Sequence, residues 1–535
     1  MSVPDLDAAA ATVSLCAGAI QCCAQKLAEA GGSDDHQVMA YDLAHAAAGV
    51  ETSRTALEYG ARGQVEARMA WAFVSDVAHD LLGKTLGREK QWGLEPGWAS
   101  AGAEFIAKYR DPSFLAELCG ERGPRHLDPE FEMVADSFRR FAEDRIRPVA
   151  EHVHRTNADI PEEIISGLAE LGAFGLSVPE EYGGFATGGE SDYLGMVVAT
   201  EELSRGSLGV GGSLITRPEI LTRALVHGGT EEQKHHWLPK LATGEAMVAV
   251  AVTEPDFGSD VAGVTVSATP DSGGWRIKGV KTWCTFAARA DVLMLLARTD
   301  PDRSRGHRGL SVFIVPKARA DGHGFSIVQD STKEGYEGEA GRLEGRPIDT
   351  LGYRGMHSYE LAFDGWWVPE NCLIGGENGL GRGFYYQMQG FENGRLQTAA
   401  RAIGVMQAAY EAAHEYAANR VVFGSPILNY QLTRVKLARM GVLLQICRQE
   451  SYKVARLMAK GEGSLEASMI KAYVCRAAEW VTREAMQIHG GMGYAEEFPV
   501  SRYFVDARVL SIFEGADEAL ALKVIARRLI EANSG

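Results

Sequence analysis

The stretch "GVTVSATPDSGGWRIKGVKTW", residues 263–283, decides how the chain is organised. Val264, Val266 and Ala268 alternate with polar residues, Gly273 and Gly274 interrupt them, and Trp275 and Ile277 resume the alternation. A period of two lines residues up on one face of a strand, and paired glycines supply the positive φ of a tight reversal, so the stretch reads as a β-hairpin. "DVLMLLAR" (291–298) and "LSVFIVPK" (310–317) read as further strands. The expected β domain spans residues 248–375. Within it "STKEGYEGEAGRLEGRPI" (331–348) is rich in glycine and charge, has no period, and reads as an exposed insertion.

On both sides of this domain the period is helical. Residues 1–122 form an alanine-rich N-terminal extension in which Met69, Phe73, Val77 and Leu81 recur every fourth position, the stripe of a helical bundle or of a clasp on a partner. "CGERGPRHLDPE" (119–130) is a linker by its glycines and prolines, and a second helical domain follows over 126–247. Helical patterns return in a C-terminal domain, 376–535. The fold class expected is mainly α with a central β-barrel or sandwich domain, not a doubly wound parallel sheet, because strands and helices do not alternate. "ENGLGRGF" (377–384) has the composition of a dinucleotide loop without its spacing.

Hydrophobic residues make up 46% of the 535 and charged residues 23%, the balance of a soluble globular chain with several cores. A net charge of -17 with no local basic patch argues against nucleic acid or an anionic membrane as partner. No stretch resembles a signal sequence or approaches the roughly 20 apolar residues of a bilayer span. The eight cysteines are scattered, so reduced thiols in the cytoplasm and no metal site are expected.

Four short stretches carry chemistry. "AVTEPDFGSD" (251–260) is a strand end running into a turn whose amides and hydroxyls, on Thr253 and Ser259, suit a planar polar ring or a phosphate. In "KTWCTF" (281–286) Trp283 and Thr285 stand two apart, which places an aromatic and a hydroxyl on one strand face. "NRVVFGSPI" (419–427) sets an arginine and a phenylalanine at a helix end. "SIFEGADEAL" (511–520) holds Glu514 just ahead of an amphipathic helix, as a capping acid or as a fixed base beside a buried surface.

Taken in order with "ELAFDGWWVP" (360–369) and "QIHGGMGY" (487–494), these motifs resemble those of the acyl-CoA dehydrogenase family from about residue 126 to 533. The resemblance implies an FAD enzyme that oxidises the α,β bond of an acyl-CoA and passes electrons to an electron-transfer flavoprotein. It implies Glu514 as the base that takes the α proton. Some branched-chain members carry the base on an earlier helix, at the place of Gly394 here; Glu392 is the nearest acid. The backbone of Val252, with Thr253, Trp283 and Thr285, would line the flavin ring, and Ser259 and Arg395 would meet the CoA portion. Arg420, Phe423, Gln487 and Gly491 would hold the pyrophosphate and adenine of a neighbouring subunit's FAD, which implies a homodimer or tetramer.

The sequence departs from the family where Ala516, Asp517 and Glu518 follow the "EG" pair in place of the usual FAD-touching threonine and glutamine. The extension of roughly 125 residues and the 331–348 segment are departures too. The extension, "FEGADEAL" (513–520) and "LGYRGMHSYELAFDGWWVPENCLIGG" (351–376) together resemble the branch that takes a short branched dicarboxylyl thioester, whose second carboxylate needs a buried partner. Arg217, next to Pro218 in "GGSLITRPEI" (211–220), is the first candidate, with Tyr385 and Tyr386 as hydroxyl donors and Arg354 more remote. Alternatives are a monocarboxylyl-CoA dehydrogenase, an acyl-CoA oxidase and a DNA-binding flavoprotein of the same fold, the last disfavoured by the charge.

Overall fold

The computed structural model describes residues 5–320, 323–334, 336 and 338–534. Its contacts divide the chain into two compact units: Met1–Ser137 with Arg395–Gly535, and Phe138–Gly394.

The first unit is helical. Helices α1 (Asp7–Glu29), α2 (Gln37–Gly60) and α3 (Gln64–Thr85) belong to the N-terminal extension. Their alanine-rich faces allow close approach, and Met69, Phe73 and Leu81 enter one core with Val442 and Ile446 of the helix Gln431–Ala459 and Ile525 near the C-terminus. The extension is therefore part of the C-terminal helical core, joined to it by apolar burial at about 25 cal/mol per Å². By length and composition α1 is apolar enough to cross a bilayer, contrary to the sequence expectation. Its apolar face, with Val13, Cys16 and Leu27, is buried in this core.

The second unit is a helical layer on a sheet. The sheet strands are β1 (Val248–Ala251), β2 (Ser267–Asp271), β3 (Gly274–Thr285), β4 (Val292–Arg298), β5 (Leu310–Pro316), β6 (Phe325–Val328), β7 (Arg342–Ile348) and β8 (Ser358–Pro369). Their order is β1-β4-β2-β3-β8-β7-β6, with β5 antiparallel to β4. The hairpin read from the sequence is β2–β3, registered Ala268 to Ile277. Its turn lies one residue earlier than expected, at Ser272 and Gly273, both with positive φ as a two-residue I′ turn requires. Ile220, Leu221, Leu225, Leu238 and Leu241 of two helices pack on Val248, Val250, Val292 and Met294, so the sheet's β1 end is clamped from one side.

Residues 331–348 are not wholly an exposed insertion: 342–348 are strand β7, paired with both β6 and β8. Tyr336 is buried and stacked on Trp367 with centroids 4.8 Å apart. Glycines and charges hid the alternation of Leu343 and Gly345, which are buried, with exposed Arg342 and Arg346.

Candidate active site

In the second unit the sequence motifs meet around one buried ion pair. Lys281 on β3 reaches Glu254 Oε1 at 2.8 Å and the carbonyl of Val252 at 2.8 Å. Glu254 also accepts from the amides of Thr265 and Val266 at 2.7 and 2.8 Å. Burial opposes its ionisation, but Lys281 and the amides outweigh burial and hold the carboxyl below its usual range. Thr282 N donates to the carbonyl of Thr253 at 2.8 Å, so the "VTEPD" turn and the "KTWCT" strand are fixed side by side. Sequence reasoning missed this pair; the lysine amid β3's buried positions was the available signal.

Trp283 and Thr285 do not share a face. A register shift between Lys281 and Cys284 and a left-handed φ of +58° at Trp283 break the alternation. Trp283 is thereby turned out and is 55% exposed, while Thr285 is buried and bonded to Ser358 Oγ at 3.1 Å. An exposed indole beside half-buried Thr253, on a rigid turn, is a donor set and platform that fits a flat heteroaromatic ring. Ser259 is exposed on the same turn.

Arg217 lies in the first turn of the helix Thr216–Gly228, where Pro218 is tolerated, and it is buried, not a surface residue. Its Nη2 donates to Tyr353 Oη at 3.5 Å, and that hydroxyl donates to Ser213 Oγ. Burial pushes the Cys284 thiol up to about 12, opposed by the charges of Lys281 and Arg217. Tyr385 is half exposed and paired with His307 at 3.1 Å, whereas Tyr386 is buried beneath Arg382. Arg354 is committed to the carbonyls of Thr350 and His154. Gln387 is fully buried with both amide atoms unpartnered among the described residues, at a cost of about 1–3 kcal/mol per group unless a polar ligand or water meets it. Asp159, His323 and His357 bring ligand-type atoms within 4.8 Å of one another, a grouping that the scattered cysteines could not signal.

In the first unit Glu514 sits in a turn with φ of +53°, followed by Gly515 at +99°. Lys471, on the helix Ser464–His489, donates to the Gly515 carbonyl at 2.6 Å, and Asp517 N donates to the Ser511 carbonyl at 3.1 Å. Phe513 lies over fully buried Arg401, 5.4 Å from guanidinium to ring centroid. Arg395 donates to Ser468 Oγ at 3.1 Å on the same helix as Lys471. The helix after Glu514 is not uniform: Leu520–Ala526 is π-helical between short α segments.

The helix Gly383–Asn419, which belongs to this unit from Arg395 onward, ends in a small hairpin carrying Arg420 and Phe423. Tyr416 stacks on His489 at 4.2 Å, which brings the hairpin beside the end of the helix bearing Gln487 and the turn bearing Gly491. All four are exposed; Phe423 is 97% exposed with φ of +51°.

Residues 128–245, 249–346 and 381–530 match the N-terminal, middle and C-terminal domain models of acyl-CoA dehydrogenase. The chain belongs to the acyl-CoA dehydrogenase family. It is 43% identical over 463 residues to a (2S)-methylsuccinyl-CoA dehydrogenase of Cereibacter sphaeroides, covering 86% of this chain and 79% of that one. Among solved structures it is similar to butyryl-CoA dehydrogenase from Megasphaera elsdenii, 30% identical with a TM-score of 0.65 over 74% of this chain and 97% of that one. It is also similar to a glutaryl-CoA dehydrogenase from Mycobacterium smegmatis in complex with FADH2, 26% identical with a TM-score of 0.64 over 74% and 94%. The enzyme is an FAD-dependent acyl-CoA dehydrogenase, an oxidoreductase acting on CH–CH groups.

Proposed function

We propose that the substrate is (2S)-methylsuccinyl-CoA, oxidised to mesaconyl-CoA in the ethylmalonyl-CoA route of acetate assimilation. Burial of Arg217 carries this reading, because a buried guanidinium is a costly device that a purely aliphatic acyl chain has no use for. Tyr353 accepts from Arg217 Nη2 and so orients the guanidinium, whose planar N–H fork suits a second carboxylate. The relative from Cereibacter sphaeroides supports the same substrate.

In this reading Glu514 takes the α proton of the thioester onto its carboxylate. FAD, when bound, would supply the acceptor for the β hydrogen as hydride, and the electron pair left at the α carbon would close the double bond. The backbone N–H of Glu514 would lower the cost of enolate-like charge on the thioester oxygen. Trp283 and Thr253 orient the ring, and Arg395 and Ser259 bind the CoA portion. The exposed quartet Arg420, Phe423, Gln487 and Gly491 completes the FAD site of another copy, making the enzyme at least a homodimer, and an electron-transfer flavoprotein reoxidises it. Eight free cysteines suit a cytoplasmic home.

Comparing kcat/KM for methylsuccinyl-CoA with butyryl- and isobutyryl-CoA tests the assignment. A preference for either monocarboxylyl substrate overturns it in favour of a short- or branched-chain activity.

A further inference from the structure

The segment after Glu514 departs from the family, and the N-terminal extension has no family counterpart in the matched domains; the two meet. Tyr41 and His45 stand one turn apart on α2 and converge on the same carboxylate oxygen, Asp517 Oδ2, at 2.5 and 3.1 Å. The two rings contact edge to face with centroids 4.5 Å apart, so neither is free to swing. Asp517 opens a short helix, where an acid is ordinarily a dipole or capping group. Here the residue at the capping position is Ala516, with no side-chain cap, and the carboxylate is spent on α2 instead. His45 is buried and the Asp517 side chain is only 12% exposed. Burial opposes ionisation of Asp517, but the bonds from His45 and Tyr41 outweigh it and hold the carboxyl below its usual range. Burial and Asp517 push the Tyr41 phenol up to about 12, so it stays a donor at any working pH.

We infer that Tyr41, His45 and Asp517 are positioning residues for the catalytic base: the N-terminal extension holds the 514–517 turn, and through it the carboxylate of Glu514. The turn is also anchored by Lys471 on the Gly515 carbonyl and by the Asp517 amide on Ser511. Those restrain the backbone from the C-terminal helices. The α2 contact restrains it through a side chain just beyond the left-handed pair Glu514 and Gly515, the part of the turn with least intrinsic preference for its conformation.

The inference rests on Glu514 being the base, and the test separates the two. Holoenzyme carrying Asp517→Asn, Tyr41→Phe, His45→Gln, or Tyr41→Phe with Asp517→Asn is mixed anaerobically with (2S)-methylsuccinyl-CoA, or with butyryl-CoA if that reduces the wild type faster. Flavin reduction is followed per bound FAD. Asp517→Asn is expected to slow reduction about 10-fold or more, since small misplacements of a reacting group are costly, with substrate affinity little changed. The α-deuterium isotope effect should rise, because proton abstraction becomes the slower part of the step, and the double variant should lose no more than Asp517→Asn alone. A merely structural contact would lower FAD content or melting temperature and leave the rate per flavin and the isotope effect as they were; that result overturns the inference. Tyr41→Phe removes one donor and keeps the ring packing, so it decides the matter if Asp517→Asn does not fold. Glu514→Gln runs alongside: normal reduction there overturns the base assignment and this inference with it. Its inactivity beside normal reduction in the other variants overturns this inference alone.

Discussion

Lys471 holds the carbonyl of Gly515 at 2.6 Å from a position where burial depresses its own pKa. That bond ties the helix Ser464–His489 to the turn that carries Glu514. Replacing Lys471 by Met keeps the length and removes the donor. We expect a loss of about 1–3 kcal/mol in stability, the cost of a buried carbonyl left without its donor, read as a fall in the denaturant midpoint of the holoenzyme.

Glu514→Gln is expected to abolish flavin reduction, by about 10²-fold or more, with acyl-CoA affinity close to normal, because the amide keeps the volume and removes the base. Glu392→Gln is the control. Near-normal reduction in the first and loss in the second would move the base to the earlier helix.

Arg217→Met should lower kcat/KM for methylsuccinyl-CoA by roughly 2–5 kcal/mol in transition-state terms and spare 2-methylbutyryl-CoA, which lacks the second charge. Equal losses on both would remove Arg217 from substrate recognition and turn attention to Tyr386 and Gln387.

Glu450 predicts a pH dependence of stability. It is fully buried on the helix Gln431–Ala459, accepts a hydrogen bond from Thr55 of α2, and burial pushes its carboxyl up to about 7. Because the folded state binds this proton more tightly than the unfolded chain, its contribution is present below the unfolded pKa near 4.5 and is lost as pH rises towards 7. Glu450→Gln should therefore flatten the melting temperature between pH 5 and about 8, with its largest gain at the alkaline end. An unchanged pH profile would place the titration elsewhere.

Phe423→Ala should leave the isolated fold intact, since the ring is 97% exposed, yet lower FAD retention and shift the oligomer towards monomer on sedimentation. Full retention of FAD with an unchanged sedimentation profile would mean that the hairpin does not meet a second copy.

Much of this was legible in the sequence for a physical reason: alternation and four-residue recurrence survive wherever one face of an element is buried. Val264, Val266, Ala268 and Ile277 kept their period, and the hairpin was found. Trp283 and Thr285 did not, because one left-handed residue at a bulge reverses the sense of the strand, and no pattern of residue types announces a positive φ at tryptophan. Strand β7 was hidden by glycines that pack as small buried residues. Contacts between distant segments, such as Lys281 with Glu254 and α2 with Asp517, leave no periodic trace at all.

The left-handed backbone at Glu514 sets fold and function against each other. For a residue with a Cβ that conformation costs about 1–2 kcal/mol, and glycine would adopt it freely. Glu514→Gly should then melt higher than the wild type while losing activity.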